Sequence, residues 1–212
     1  MKKGVLLLTL CFINVLAFSQ RIRPNRYEVL PAKEAGSIIF VGNSITDDCE
    51  WGELFENSVV LGRGIDGDHS AGILARTGEL IRHKPSKVFF AVGTNDIAGG
   101  VPVDTIVGNL EKILTIFEKE SPETKIYIQS VLPVGPNPMF IHSSHNNKGV
   151  LKLNNELKQF CIREKLTYID LHSHFLADDG INLNPELTND DLHIVGKGYL
   201  LWKDLIMEYI TE

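Results

Sequence analysis

Cysteine is scarce in this sequence, with three residues in a chain of 212. Cys11 lies in an apolar N-terminal segment, so Cys49 and Cys161 are the only two in the rest of the chain. An oxidising compartment would allow at most one disulfide between them, and only if their Cα atoms came within about 7 Å of each other. Their spacing does not decide this, and we expect two free, buried thiols.

Clusters of basic residues are also missing, since no run of lysine or arginine is longer than a few residues. Loss of Lys2 and Lys3 with the N-terminal segment would lower the 21 basic side chains to 19, against 27 acidic ones, a formal net charge of −8. A surface with this charge repels phosphate polymers. We therefore expect no nucleic-acid partner.

No apolar run is long enough to span a membrane. The longest, residues 5–18, has about fourteen residues where roughly twenty are needed, so we expect no stable membrane insertion. Lysines before this run, and small side chains at Ala17 and Ser19, are typical of a secretory signal peptide. The sequence therefore predicts a signal peptide at residues 1–19 and export to the periplasm or the cell exterior, with an uncleaved membrane anchor as the alternative.

Residues 20–212 have the size and composition of a single domain, since the sequence is 43% hydrophobic and 23% charged. Apolar, β-branched runs predict five buried strands. They are residues 37–42, 59–61, 87–93, 125–131 and 166–170. We expect the third of these, the most apolar, to be central in its sheet.

Segments with helical spacing alternate with the predicted strands. They are residues 71–82, 103–120, 150–165 and 196–209. Strands that are buried on both faces and alternate with helices need right-handed crossover connections. The sequence therefore predicts an α/β fold, a three-layer α/β/α sandwich around a five-stranded parallel sheet. Such folds collect their chemistry in loops at the carboxyl ends of the strands.

Three glycine-containing blocks follow the first three predicted strands. In the first, Gly42-Asn43-Ser44, a glycine allows a tight turn that presents the serine hydroxyl, with a helix expected over residues 47–55. The second, residues 62–68, contains three glycines, of which Gly67 is a candidate donor of a backbone N–H to an oxyanion. In the third, Gly93-Thr94-Asn95-Asp96, the Asn95 amide is a further candidate donor.

A fourth block, residues 189–199, places Asp190 and Asp191 shortly before His193. Serine is a weak nucleophile, so it needs a base within hydrogen-bond reach and a carboxylate that holds the base in the right tautomer. Ser44, His193 and Asp190 can supply these three roles, and Asp191 is the other candidate acid.

Together the four blocks resemble the SGNH, or GDSL-like, hydrolase family over nearly all of residues 20–212. The resemblance implies the flavodoxin-like fold of that family and no metal or other cofactor. It also implies a triad of Ser44, Asp190 and His193, with an oxyanion hole formed by Ser44, Gly67 and Asn95. The family's acid stands three residues before the histidine, which favours Asp190.

Two positions depart from the pattern of this family. Asn43 stands where the family usually has aspartate, and Asp191 stands where it usually has glycine. Neither change removes a reacting group. Asn43 retains hydrogen-bonding capacity but lacks the charge, so the rigidity of the turn at Ser44 is the property it is expected to affect.

The second and third blocks resemble those of platelet-activating-factor acetylhydrolase-like enzymes and carbohydrate O-acetylesterases. This implies a serine esterase that hydrolyses short-chain, acetyl esters on carbohydrates such as sialic acid or polysaccharides, through an acyl-enzyme at Ser44. A lipid acylhydrolase of the lysophospholipase or platelet-activating-factor type is the alternative. A glycan-binding protein without catalysis is a third interpretation, and nothing in the sequence assigns an oligomeric state.

Several other residues have simpler interpretations. The histidine pairs His142/His145 and His172/His174 lack a cysteine cluster or a metalloprotease motif, and we expect neither to bind a metal. The acidic run at residues 47–50 is expected to cap the next helix. Asp66 and Asp68 are expected to make local hydrogen bonds in their turn and to have no functional role. Trp51 and the apolar stripe of residues 103–120 are expected to pack in the core.

Overall fold

The computed structural model describes residues 26–32, 36–138 and 146–212. The predicted signal peptide at residues 1–19 and the pair His142 and His145 lie outside these ranges. At the centre of the described chain is a sheet of five parallel strands. They are β1 (Ile38–Gly42), β2 (Val60–Gly64), β3 (Lys87–Ala91), β4 (Lys125–Gln129) and β5 (Thr167–Ile169).

The strand order in this sheet is β2-β1-β3-β4-β5, and every neighbouring pair is parallel. The predicted parallel sheet is confirmed, and so is the central place of the third strand. From β1 the chain moves to β2 on one side and then crosses to β3 on the other side. Sheets of this kind form a crevice at the carboxyl ends of the strands where the order reverses, which here are β1 and β3.

Eight α-helices are assigned within the described ranges. They are α1 (Ser44–Asp47), α2 (Trp51–Leu54), α3 (Ser70–Ala75), α4 (Thr77–Ile81), α5 (Thr94–Ala98), α6 (Val103–Glu120), α7 (Asn147–Glu164) and α8 (Gly196–Thr211). Two 3-10 helices, His172–Phe175 and Pro185–Leu187, lie between β5 and α8. None of the helices in this part of the chain is both long and apolar enough to cross a bilayer.

Both faces of the sheet are buried, because apolar side chains alternate to opposite sides of each strand. Ile39 and Val41 of β1 belong to one core cluster, and Ile38 and Phe40 belong to the other. Helices α3, α4, α6 and α7 supply side chains to the first cluster, whereas α2 and α8 supply side chains to the second. The predicted three-layer sandwich is therefore confirmed.

The two long helices on the first face agree with their predicted segments. The bounds of α6 are those predicted, while α7 begins three residues before the predicted start at residue 150. It begins earlier because the side-chain oxygen of Asn146 accepts a hydrogen bond from the N–H of Gly149 at 2.8 Å and so caps the helix. The predicted apolar stripe of α6 is buried: Ile106, Leu110, Ile113, Leu114 and Phe117.

Residues 71–82 form the two helices α3 and α4, whereas the sequence predicted one. The break falls at Arg76, whose φ is −108°. The hydroxyl of Thr77 donates to the carbonyl of Ile73 at 3.1 Å, the acceptor that the Thr77 N–H would use in a continuous helix. This competing bond favours a break at this point, and the Arg76 side chain at the break is buried.

The prediction of one helix over residues 47–55 is also wrong. Helix α1 begins at Ser44, and α2 begins at Trp51. The indole N–H of Trp51 donates to the carbonyl of Thr46 at 2.8 Å. In a continuous helix that carbonyl would accept from the N–H of Glu50, so the indole replaces a helical bond at the point where the chain bends.

The acidic run between α1 and α2 does not cap the second helix as expected. Glu50 stands at the N-cap of α2 but makes no capping hydrogen bond with its side chain. Asp47 instead forms an ion pair with Arg26 and accepts a hydrogen bond from the N–H of Asp66 at 3.3 Å. Asp47 therefore joins α1 to the loop that follows β2.

Aromatic side chains fill the face that α8 covers. The rings of Phe40 and Trp51 stack with their centroids 4.0 Å apart, and Trp202 of α8 meets Trp51 edge-on at 5.2 Å. Trp51 thus packs in the core, as predicted. Also from α8, the hydroxyl of Tyr199 donates to the carbonyl of Ile45 at 2.8 Å. This bond connects α8 directly to α1.

Cys49 and Cys161 are free thiols in the structure, as expected. Cys161 is buried and Cys49 is half-buried. Burial raises the pKa of each thiol to about 12. Because the thiolate is the reactive form of cysteine, neither side chain is poised to act as a nucleophile at neutral pH.

The contact between β2 and α1 is expected to depend on the missing side chain of Gly64. A methyl group there would lie 2.2 Å from the backbone nitrogen of Asp47, so Gly64→Ala is expected to lower the free energy of unfolding by about 1–3 kcal/mol. Gly108→Ala in α6 is the control, because the space around Gly108 is open, and it should raise that energy by about 0.5–1 kcal/mol. Urea titration measures both, and equal losses would contradict the prediction.

Candidate active site

Ser44 lies two residues after the end of β1, at the carboxyl edge of the sheet. The chain turns tightly there, since a methyl group at Gly42 would lie 2.2 Å from the hydroxyl oxygen of Thr46 and 2.7 Å from the carbonyl oxygen of Ala91. Only glycine allows backbone and side chains to approach this closely. Steric crowding therefore explains why the first sequence block has a glycine at position 42.

Asn43 holds the turn in place as the N-cap of α1. Its side-chain oxygen accepts a hydrogen bond from the N–H of Ile45 at 3.1 Å, and an amide oxygen is a suitable acceptor for this bond. Helix α1 has four residues, so its dipole can contribute little to the stability of an oxyanion at Ser44. At the other end of α1, burial raises the pKa of Asp48, and nearby His193 counteracts the shift.

His193 connects Ser44 with Asp190. Its Nε2 atom lies 2.9 Å from Oγ of Ser44, and its Nδ1 atom lies 2.7 Å from Oδ2 of Asp190. A carboxylate beside Nδ1 favours the tautomer with its proton on that atom, which leaves Nε2 as the acceptor of the serine proton. The structure thus brings the three predicted residues into one hydrogen-bonded chain.

The backbone around Asp190 holds its carboxylate in place. Oδ1 accepts from the N–H groups of His193 at 2.7 Å and Leu192 at 3.0 Å. Burial pushes the pKa of Asp190 upward, but the hydrogen bonds from the His193 ring and from these N–H groups outweigh it and hold the pKa below its ordinary value. Asp190 is therefore a carboxylate at neutral pH. An antiparallel bridge between Thr188 and Ile194 closes the loop.

Asp191 faces a different part of the chain. Its Oδ2 atom accepts from the N–H of Asn137 at 2.9 Å, and its carbonyl accepts from the N–H of Gly135 at 2.7 Å. Its φ of +64° lies in the left-handed region, which glycine adopts freely and aspartate tolerates better than most residues. The contact with His193 thus belongs to Asp190, while Asp191 holds the segment at residues 135–137.

Gly67, in the loop after β2, and Asn95, in helix α5 after β3, lie at either side of the Ser44 turn, because β2 and β3 are the two neighbours of β1. Gly67 has a φ of +71° in a turn closed by the N–H of Asp68 on the carbonyl of Ile65 at 2.9 Å, a position that favours glycine. The side-chain amide of Asn95 donates to the Asp68 carbonyl at 2.9 Å. The two candidate donors are thus joined through Asp68.

A buried ion pair between Asp68 and Arg76 was missed by the sequence analysis. Asp68 was expected only to make hydrogen bonds within its turn. Its Oδ2 atom instead lies 2.9 Å from Nε of Arg76, and both side chains are 5% exposed. The one signal in the sequence is the position of Arg76, directly after the small and apolar residues 71–75. That signal is weak, because an arginine in a helix is usually solvated.

The histidines and acids of the described residues do not converge on a metal site. No group of three or more histidine, cysteine, aspartate or glutamate side chains in these ranges is placed to hold a metal ion. His172 is buried and His174 is exposed, so the two rings lie in different environments. Burial lowers the pKa of His172, which favours its neutral form.

A cavity of about 720 Å³ lies beside the edge strand β2 and is lined by residues of α2 together with Arg26, Tyr27 and Arg63. None of Ser44, Asp190 and His193 is among its lining residues. Its position at the edge strand separates it from the crevice between β1 and β3. The hydrogen-bonded chain at the crevice, and not this cavity, is the candidate active site.

Known proteins resemble this chain in both sequence and fold. The model of the GDSL-like Lipase/Acylhydrolase family matches residues 40–201. Platelet-activating factor acetylhydrolase IB subunit alpha2 of Rattus norvegicus is 28% identical over 200 residues, which are 89% of this chain and 83% of that protein. A crystal structure of a GDSL-like lipase from Bacteroides thetaiotaomicron VPI-5482 is 26% identical, with a TM-score of 0.73, over 82% of this chain and 87% of that chain.

A more distant structure shares the fold alone. It is a catalytic mutant of an acetylxylan esterase from Geobacillus stearothermophilus, 16% identical to this chain. The TM-score is 0.67, and the alignment covers 84% of this chain and 97% of that chain. The three-layer architecture is therefore retained at an identity too low to indicate a common substrate.

The hydrogen bonds to Asp190 are expected to make part of the stability depend on pH. Because the pKa of this carboxyl is lower in the folded protein than in the unfolded chain, its contribution is present above the ordinary aspartate pKa of about 3.9 and is lost as the pH falls through the folded value. Asp190→Asn should therefore destabilise the protein at pH 7. The difference in free energy of unfolding between this variant and the wild type should shrink below about pH 4.

Urea titrations between pH 7 and pH 3 measure this difference. Asp204→Asn, at an exposed position of α8, controls for the removal of one negative charge. A difference between wild type and Asp190→Asn that stays constant across the range would contradict the expected contribution of the ionised carboxylate.

Proposed function

The chain belongs to the GDSL-like lipase/acylhydrolase family, and we propose that it is a serine esterase that removes short acyl groups, chiefly acetyl, from carbohydrates. Ser44 is the nucleophile, His193 the general base and Asp190 its acid partner. One observation carries this proposal: the hydrogen-bonded chain from Oγ of Ser44 through the His193 ring to Asp190, with distances of 2.9 and 2.7 Å.

Acylation begins when Nε2 of His193 takes the hydroxyl proton of Ser44 and Oγ bonds to the acyl carbon of the ester. The tetrahedral intermediate collapses as the bond to the leaving oxygen breaks, and His193 gives its proton to that oxygen. The alcohol departs and leaves an acyl-enzyme at Ser44. A water molecule then attacks the acyl carbon while His193 takes its proton. When the bond between the acyl carbon and Oγ breaks, His193 gives this proton to Oγ, which releases the carboxylic acid and restores the serine hydroxyl.

Asp190 stabilises the positive charge that His193 carries during both steps. It can do so because hydrogen bonds hold its pKa low and keep it ionised. The carboxylate does not take the proton in this mechanism; it orients the ring and offsets the charge of the imidazolium. The loop that carries both residues also supplies two N–H donors to the carboxylate, so acid and base are positioned as one unit.

The negative oxygen of the tetrahedral intermediate needs hydrogen-bond donors. We assign this role to the backbone N–H groups of Ser44 and Gly67 and to the side-chain amide of Asn95. An amide nitrogen carries two hydrogens, and the bond from Asn95 to the Asp68 carbonyl uses one of them. The second hydrogen is the donor to the oxyanion in this proposal.

Acetyl is the favoured acyl group because the similar platelet-activating factor acetylhydrolase IB subunit alpha2 is an acetylhydrolase by name. A carbohydrate leaving group is favoured by the signal-peptide pattern of residues 1–19. An esterase exported to the periplasm or the cell exterior meets acetylated glycans there, such as sialic acids or polysaccharides.

A lipid acylhydrolase of the platelet-activating-factor type is the second candidate. The observation in its favour is the 28% identity to platelet-activating factor acetylhydrolase IB subunit alpha2 over 89% of this chain. Both candidates use the same serine chemistry and differ in the alcohol that leaves. The two are therefore distinguished by substrate and not by the triad.

Ser44→Ala is expected to abolish ester hydrolysis. With p-nitrophenyl esters from acetate to decanoate, the wild-type kcat/KM should be highest for acetate and fall with chain length, while the variant should lose about 10⁴-fold or more of the rate. Equal rates in the two proteins would overturn the assignment of Ser44. No activity in either, together with no labelling of Ser44 by a serine-reactive phosphonate, would favour the glycan-binding interpretation.

Natural-type substrates then separate the two enzyme candidates. Acetate release from acetylated xylan and from acetylated sialic acid is compared with acetate release from platelet-activating factor, using Ser44→Ala as the blank. A preference for the lipid would replace the carbohydrate proposal with the second candidate and leave the mechanism unchanged.

Asn95→Ala is expected to lower kcat by about 10²- to 10³-fold, the usual effect of removing one oxyanion donor. The KM for p-nitrophenyl acetate should change little, because the donor acts mainly on the transition state. Asn57→Ala is the control, since the Asn57 side chain accepts from the N–H of Val59 at the other end of β2. If both variants kept the wild-type kcat, Asn95 would have no place in the oxyanion hole.

A further inference from the structure

Arg76 extends its guanidinium group from the break between α3 and α4 toward the site. Nε donates to Oδ2 of Asp68 at 2.9 Å, and Nη2 donates to the carbonyl of Arg63 at 2.8 Å and to that of Gly42 at 3.4 Å. These acceptors lie in the loop after Gly67, at the end of β2 and in the turn before Ser44. One guanidinium group therefore joins three segments that meet at the site.

Asp68 continues this connection to Asn95. The Asp68 carboxylate also accepts from the N–H of His69 at 3.0 Å, while its carbonyl accepts from the Asn95 amide at 2.9 Å. A methyl group at Gly72 would lie 1.8 Å from the same carboxylate, so α3 packs against it closely because residue 72 has no side chain. The position of the Asn95 amide thus depends on Asp68, and that of Asp68 on Arg76.

A second buried ion pair, Arg63 with Glu79, provides a comparison within the same protein. Its Nε and Oε1 atoms are 3.2 Å apart, and its side chains are 7% and 2% exposed. The guanidinium of Arg63 also donates to the carbonyl of Gly62, and these side-chain contacts involve neither oxyanion donor. Burial of an ion pair is by itself weak support for a role in stability, since lost hydration opposes the attraction. The two pairs differ in their neighbours: Asp68 of the first pair is bonded to Asn95, whereas the second pair is bonded to neither oxyanion donor.

We propose that the Asp68–Arg76 ion pair is a positioning device for the oxyanion hole, which fixes the N–H of Gly67 and the amide of Asn95 relative to Ser44. This inference rests on the proposed function, because it concerns donors to an intermediate formed at Ser44. Asp68 and Arg76 touch no reacting atom and act through the donors. A guanidinium suits this role because its planar fork sets the direction of several acceptors at once, which a lysine ammonium does not.

Arg76→Lys retains the charge and removes the fork. Displaced donors weaken binding of the transition state more than binding of the substrate, so the loss should appear in kcat and not in KM. We expect kcat for p-nitrophenyl acetate to fall by about 10- to 100-fold, with KM within about 3-fold of wild type. Asp68→Asn retains the shape and the backbone carbonyl of the residue, and it should also lower kcat. It is the variant to use if Arg76→Lys fails to fold.

The decisive measurement is a double-mutant cycle on kcat between Arg76→Lys and Asn95→Ala. If Arg76 acts through the donors, its substitution should cost less than about 5-fold once Asn95 is already truncated, because one of the two donors that it positions is gone. A cost equal to that in the wild-type background would mean that the two residues act independently. That result would overturn the positioning role.

Glu79→Gln is the matched control for loss of a buried charge. It breaks the charge balance of the Arg63 pair and should lower the free energy of unfolding, yet leave kcat at the wild-type value. An equal fall in kcat for Glu79→Gln and Arg76→Lys would reduce the effect to general destabilisation and overturn the inference. Full activity of Ser44→Ala would refute the proposed function itself, whereas Ser44-dependent activity with wild-type kcat in Arg76→Lys and Asp68→Asn would refute the positioning role alone.

Discussion

Close packing at the carboxyl ends of β1 and β2 is the constraint on which the rest of the site depends. A methyl group at Gly42 or Gly64 would come within 2.2 Å of atoms in α1, so α1 lies against these strands only because two side chains are absent. This packing presents Ser44 at the edge of the sheet, between the loops that follow β2 and β3. In a parallel sheet with this strand order, that edge is also where the crevice forms.

Contacts between distant segments then set the distance between Ser44 and His193, the proposed nucleophile and base. Ser44 and His193 are 149 residues apart in the chain, and their side chains meet at 2.9 Å. Helix α8 follows the histidine loop and is joined to α1 by the hydroxyl of Tyr199 on the carbonyl of Ile45. His193 and Ser44 are therefore held by two elements that are bonded to each other, which fixes the two side chains in the geometry that the proposed reaction needs.

Asp190 and Asp68 lie in different environments, which shift their pKa values in opposite directions. Asp190 lies in a partly exposed loop, where hydrogen bonds from the ring and the backbone of its own loop outweigh burial and lower its pKa. Asp68 is buried, and burial raises its pKa although Arg76 opposes the shift. In the proposed mechanism Asp190 needs a stable charge, and its hydrogen bonds supply it. Asp68 needs a fixed position, which its burial and its bond to Arg76 supply.

Local patterns in the sequence determined the five strands, the three long helices α6, α7 and α8, and the order of the four sequence blocks, because apolar periodicity and turn-forming glycines act over a few residues. The family resemblance added the roles of Ser44, Asp190, His193, Gly67 and Asn95. Only the tertiary structure decided the full strand order, the helix break at Arg76, the contacts of Asp191 and the ion pair between Asp68 and Arg76. These features depend on hydrogen bonds and packing between segments far apart in the chain, whose geometry no local pattern specifies.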